Sequence, residues 1–224
     1  MARRRPPAHL ALAAATALAA AVAALVLALA SSGGDGHGGS PHASISAGRA
    51  SGFEGAPLPG NVIAPSFTLR EQQGRSVSLG DYRGRVVVLT FLYSTCGAPC
   101  VLIAQQIRGA LDELEAGHAR LPAVLIVSAD PAADTRTRVR RFLAEVSLSG
   151  RVQYLTGSLP VLRALWRAYR VHPASDGRAA FAEYASVLLI DGGGAERVLY
   201  QSEQLTPEAL SHDVGRLDGD PAGP

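Results

Sequence analysis

The sequence predicts an α/β fold, and three observations carry the prediction. Two continuous apolar runs rich in β-branched residues, VVVLTFLY (86–93) and AVLIVSAD (123–130), have the pattern of strands buried on both faces. Apolar residues then recur at helical spacing, first Ile103, Ile107, Leu111 and Leu114, later Val139, Phe142, Leu143 and Val146. Near the C-terminus, SVLLID and RVLYQSE flank Gly192–Gly194 and read as a hairpin. Strands alternating with helices build a sheet whose parallel neighbours are joined by helical crossovers, with helices on both faces.

Taken in order, the folded part starts near Leu58. FTLREQQGRSVSLGDYRGR (67–85) reads as two short strands around a Gln-Gly turn, with a second turn at Gly84. The strand at 86–93 follows, then a helix that Cys100 opens and Gly117 ends. After the strand at 123–130, Asp134 or Thr135 is the expected cap of the next helix. VQYLTG (152–157) is a short strand, and Leu159, Leu162, Trp166 and Tyr169 mark a further helix. Trp166 and Tyr169 at this spacing are expected in the core, and Asp191 before Gly192 is expected in a turn. A last helix runs from about Pro207 to Leu217. The order β-α-β-α-β-β-α is that of a thioredoxin-like domain with an N-terminal β-hairpin and an inserted strand and helix.

At 224 residues and 47% hydrophobic, the chain is long enough for one domain with a substantial core plus extensions. All 21 basic residues are arginine, the net charge is only +2, and the arginines are scattered beyond the N-terminus. That distribution is not a nucleic-acid footprint, so no nucleic-acid partner is expected. Residues 1–30 open with Arg3, Arg4 and Arg5, followed by an apolar run from Leu10 to Ala30 that only Thr16 interrupts. At a rise of ~1.5 Å per residue such a run spans a hydrocarbon core of ~30 Å. Arginines before it keep that end in the cytoplasm. The reading is one N-terminal transmembrane helix, or alternatively a signal peptide cut after Ala28-Leu29-Ala30. Either places the following domain on the extracytoplasmic side, tethered to the cell membrane in the first case and secreted in the second. No cysteine lies near the segment to make a lipoprotein anchor. Residues 31–57 are rich in Gly and Ser and read as a flexible linker, in which His37 and His42 are solvated. The folded domain is expected over 58–217 and a disordered tail over 218–224.

Cys96 and Cys100, in TFLYSTCGAPC, are the only two cysteines. They sit where a central strand hands over to a helix. Open α/β sheets place their chemistry at the carboxyl ends of strands, and a helix N-terminus favours a thiolate. The four-residue step can put both sulfurs on one side of the first turn, to close a disulfide or to hold one soft ion. A structural zinc site needs four ligands. A plain staple closing so short a loop would gain little from loop entropy.

The motifs around the pair resemble the Sco/SenC family. FxYSTCGAPC is similar to its TxCPxxC signature, VSADPAADT (127–135) to its SVDPxxDT segment, and LWRAYRVH (165–172) to its penultimate helix. FTLREQQGRSVSLGDYRGRVVVLTF is similar to its opening hairpin and strand, a part shared with peroxiredoxins and TlpA-like reductases. The resemblance covers about residues 58–215. It implies a membrane-anchored thioredoxin-like domain that helps assemble the CuA centre of cytochrome c oxidase, as copper chaperone, thiol reductant or both. Cys96 and Cys100 would be the redox pair or the two thiolate ligands of Cu(I), and Asp130 the family's acidic residue near the site. The partner implied is the CuA subunit or another exported thiol or copper protein. The chain departs from the family at the third copper ligand, a histidine expected shortly before the LID strand. In FAEYASVLLID the region holds Glu183, Tyr184 and Ala185 instead. His172, upstream, is the candidate relocated ligand. His118 and His212 are expected on the surface. The missing histidine favours thiol–disulfide exchange, which needs no metal. In that reading Cys96 attacks, Cys100 resolves, and Glu183 or Tyr184 tunes the thiols. Cu(I) carriage by Cys96 and Cys100, with or without His172, is the alternative.

Overall fold

A computed structural model describes residues 52–173, 175, 181 and 185–219. The predicted anchor, most of the predicted linker (31–51), Glu183, Tyr184 and residues 220–224 lie outside them. Among the described residues no helix is long and apolar enough to cross a membrane.

Eight strands and four α-helices are named in chain order. They are β1 (Ala56–Pro57), β2 (Thr68–Glu71), β3 (Ser76–Ser78), β4 (Val87–Leu92), α1 (Ala98–Ala116), β5 (Ala123–Ser128), α2 (Arg136–Glu145), β6 (Gln153–Thr156), α3 (Leu159–Ala168), β7 (Ser186–Ile190), β8 (Glu196–Gln201) and α4 (Pro207–Gly219). The strands form one sheet in the order β1-β8-β7-β4-β5-β6-β2-β3. The strands β4, β5 and β6 are parallel, while β7 returns antiparallel to β4 and continues into β8. The hairpin β2–β3 closes the far edge by pairing β2 antiparallel to β6. This is a mixed α/β sheet of thioredoxin-like form, with the expected N-terminal hairpin in place.

Every residue of β4 and β5 is buried, as their unbroken apolar runs require of strands covered on both faces. The pleat divides them. Val88, Leu92, Val124 and Ile126 share one core with Ile103, Ile107, Leu111 and Leu114 of α1 and with Leu210, Val214 and Leu217 of α4. Val87, Leu89, Phe91, Leu125 and Val127 share the other with Leu162, Leu165 and Trp166 of α3 and with Leu69 and Val77 of the hairpin. Each fully buried Leu or Ile here contributes about 2–3 kcal/mol of transfer free energy. On the first face α1 and α4 lie close together, because Gly109 leaves room for the Pro207 ring; an added Cβ would come within 2.7 Å of it.

Two boundaries and one burial differ from the sequence reading. Residues 53–57, placed in the linker by composition, belong to the folded unit. Phe53 is in the core, β1 pairs with β8, and Leu58 N–H donates to Arg197 O at 2.8 Å. Gly55 permits this, since a Cβ there would stand 2.5 Å from Val198 Cγ1. At the other end α4 continues two residues past Leu217, into the stretch assigned to the tail. Leu159, counted among the apolar positions of α3, is the first residue of that helix and is 41% exposed. The cap of α2 is Thr135, whose side chain accepts from Arg138 N–H. Asp134 is thereby left for another task.

Candidate dithiol site

The chain leaves β4 at Leu92 and makes a turn in which Cys96 N–H donates to Tyr93 O at 3.1 Å. Gly97 follows with φ of +85°, a conformation that side chains with a Cβ resist, and serves as the N-cap of α1. Pro99 sits in the first turn, where a missing N–H costs nothing, and Val101 N–H begins the helical bonding on Gly97 O. Cys100 is therefore the third residue of a helix whose first N–H groups have no intrahelical partner. That end carries positive potential, which stabilises sulfur when it holds negative charge.

The two cysteines are joined as a disulfide, with their Cα atoms 5.8 Å apart. Cys100 is wholly buried, whereas Cys96 keeps 8% exposure and is the less enclosed of the two. The surroundings are apolar. Tyr93 and Phe181, both in the same core as the cysteines, meet edge to face with ring centroids 4.9 Å apart.

Beneath the turn lies a polar cluster drawn from three strands. The buried Asp134 carboxylate accepts the Ser94 peptide N–H at 2.7 Å, the Ser128 hydroxyl at 2.5 Å and the Tyr154 hydroxyl at 2.7 Å. Tyr154 OH also lies 3.1 Å from Leu92 O, and Trp166 Nε1–H donates to Ser128 O at 3.1 Å. Burial, reinforced by the Asp134 charge and the hydrogen bond to it, holds the Tyr154 hydroxyl well above its ordinary value, so it remains a neutral donor. Ser94 Oγ is buried and has no hydrogen-bond partner among the described residues.

The site residues expected from sequence divide. Cys96 and Cys100 are brought together. Asp130 closes the turn before α2, its Oδ1 accepting Ala133 N–H at 3.1 Å and its carbonyl accepting Asp134 N–H at 3.0 Å. It orients Asp134, and the capping role weighed for it belongs to Thr135. His172 is exposed, in a crevice with Phe91, Val171, Phe181, Ala185 and Ser186. Among the described residues no group of three or more His, Cys, Asp or Glu side chains is placed to hold a metal ion. His118 and His212 are exposed, and Trp166 is in the core. Glu183 and Tyr184 lie outside the described residues. The site residue that sequence reading took only for a possible helix cap is Asp134. Its signal was the second aspartate of DPAAD, four residues after the first, on a loop leaving a buried strand.

This fold, with a cysteine pair at the mouth of its central strand, is that of a thioredoxin-like domain. The chain belongs to the SCO1/SenC family, whose model matches residues 56–217. A mitochondrial relative from Arabidopsis thaliana, the SCO1 homolog 2 protein, is 28% identical over 160 residues, 70% of this chain and 57% of the relative. The chain thus spans somewhat over half the length of that relative. Among solved structures it is similar to BsSco, a member of the Sco family of cytochrome c oxidase assembly proteins in which a disulfide switch was identified. That likeness has a TM-score of 0.61 at 22% identity, covering 72% of this chain and 95% of the other. It is also similar to copper-bound ScoI of Arabidopsis thaliana, with a TM-score of 0.57 at 20% identity, covering 69% of this chain and 97% of the other. At these identities the two structures establish the fold.

Proposed function

We propose that this chain is a membrane-tethered, extracytoplasmic assembly factor for the copper site of cytochrome c oxidase. It acts as a thiol–disulfide oxidoreductase through Cys96 and Cys100. The observation that carries the reading is the disulfide between these residues at the start of α1, with Cys100 wholly buried and Cys96 the less enclosed. In the reducing direction the Cys96 thiolate attacks a partner disulfide and releases one partner thiolate, which takes a proton. Cys100 then attacks the mixed disulfide at Cys96 and expels the second partner thiol. Two electrons and two protons pass to the partner, and the Cys96–Cys100 bond closes. The Leu10–Ala30 run would hold the domain at the membrane, and the partner would be the CuA subunit or another exported thiol or copper protein.

A second reading is favoured by the copper-bound relative of the same fold. Once reduced, Cys96 and Cys100 would carry Cu(I) as cargo, a soft ion suited to two thiolates. Both readings are tested on the full-length chain by equilibration in dithiothreitol buffers and by Cu(I) competition against a calibrated chelator, with Cys96→Ser, Cys100→Ser and His172→Ala as variants. Exchange is supported by a reversible two-electron couple between about −270 and −120 mV, together with weak copper binding that His172→Ala leaves unchanged. Tight one-to-one Cu(I) binding lost in each cysteine variant, without a reversible couple, would replace it with the carrier reading.

A further inference from the structure

Asp134 is tied to the cysteine turn through the backbone. The turn that presents Cys96 starts at Tyr93 and is closed by the Cys96 N–H bond to Tyr93 O at 3.1 Å. Its next peptide N–H, that of Ser94, points back into the protein onto Asp134 Oδ1 at 2.7 Å. Among the described residues the Ser94 side chain adds no tie of its own, its buried Oγ having no partner there. Asp134 is fixed in turn from two other strands, by Ser128 at the end of β5 and Tyr154 on β6, and by the 130–134 turn that Asp130 closes. We infer that Asp134 is a positioning residue for the cysteine pair, pinning the 93–96 turn so that Cys96 stays beside Cys100 when the disulfide is open. The inference rests on the exchange function proposed above.

The physical consequence falls on one redox state. In the oxidised protein the sulfur–sulfur bond itself keeps the two residues together. In the reduced protein only the turn does so. A pinned turn keeps the effective concentration of one thiol at the other high, which favours closure of the disulfide and makes the pair a better donor of two electrons and two protons to a partner disulfide. Freeing the turn gives the dithiol form conformational freedom that the disulfide form cannot share, and so favours the dithiol.

The test equilibrates the full-length chain with oxidised and reduced dithiothreitol and reads the dithiol fraction by alkylation and mass. Asp134→Ala is expected to shift the equilibrium toward the dithiol by about tenfold. Asp134→Asn, whose Oδ1 can still accept the Ser94 N–H, is expected to stay within about threefold of wild type. Tyr154→Phe removes a donor from the same carboxylate but leaves the Ser94 bond. It is expected to lower the Tm without moving the equilibrium, which separates positioning from general destabilisation. If Asp134→Ala does not fold, Asp134→Glu carries the same tenfold expectation, since an added methylene displaces the carboxylate from Ser94. An unchanged equilibrium in Asp134→Ala or Asp134→Glu overturns the inference, as does an equal shift in Tyr154→Phe. A wild-type disulfide that never exchanges with dithiothreitol overturns the proposed function, and the inference with it.

Discussion

Asp213 is fully buried on α4, and its carboxylate gathers donors from a segment 158 residues away. It accepts the peptide N–H of Glu54 at 2.9 Å and of Gly55 at 3.0 Å, and it takes the Tyr200 hydroxyl. His212 Nδ1 stands 2.9 Å from the same group. A buried charge is tolerated only when satisfied in this way. The cluster holds β1 and Phe53 against β8 and α4, where the chain enters the folded unit. Asp213→Ala leaves two peptide donors without a partner and is expected to cost about 3 kcal/mol. Urea unfolding checks the magnitude, and hydrogen exchange checks the cause: the amides of Glu54 and Gly55 should lose protection before those of β4. Neither Asp213 nor Asp134 was legible as a hub in the sequence. Their partners lie on other elements, and a lone aspartate in a helix or loop looks like a solvated residue until those elements are assembled. The cysteines were legible because their spacing and their place after an apolar run are local.

At the scale of elements, the strands buried on both faces were the easiest to read, since β4 and β5 need no neighbour to explain their composition. The helices followed from their periodicity. What escaped was β1, which has only two residues, one of them a proline, and carries no periodic signal. It exists because Gly55 lets the backbone approach Val198 and Tyr200. The junction of β4 and α1 is set by a different glycine. Gly97 adopts φ of +85°, yet no atom of the described residues lies within 4 Å of where its Cβ would be. The cost of Gly97→Ala is thus backbone strain alone, about 1–3 kcal/mol. Denaturant titration should show that loss with an unchanged m-value, because no packing is disturbed. A larger loss, or a changed m-value, would mean that the turn and the disulfide rearrange around the new side chain.

For the whole molecule, the sheet order places β4 between β5 and β7, so the cysteine turn emerges from the middle of the sheet, with a core on either face. The crossover strands and the closing hairpin were predictable in kind. The pairing of the N-terminal hairpin with β6 was not, because it is fixed by long-range register and by contacts such as Tyr154 N–H to Gln72 Oε1 at 2.7 Å. The same assembly buries two tyrosine hydroxyls against carboxylates. For Tyr154, burial and then the Asp134 charge and hydrogen bond raise the pKa. For Tyr200, burial and then the hydrogen bond and charge of Asp213 do so. Tyr169, bonded to Pro65 O at 2.7 Å, is raised by burial and then by the Glu196 charge. In each case the folded value exceeds the unfolded one near 10. Their contribution is therefore fully present below pH ~10 and is lost as pH rises toward the folded values. Above that point the unfolded chain releases protons that the folded one retains. Stability should then fall by about 1.4 kcal/mol per pH unit for each of Tyr154 and Tyr200. Phenolate absorbance at 295 nm should show these tyrosines ionising only together with the loss of near-ultraviolet circular dichroism. Tyr154→Phe should make the alkaline limb shallower by about the share of one group. If Tyr154 and Tyr200 titrate reversibly near pH 10 in the folded protein, their hydroxyls are reached by solvent and the two carboxylate clusters do not close as described.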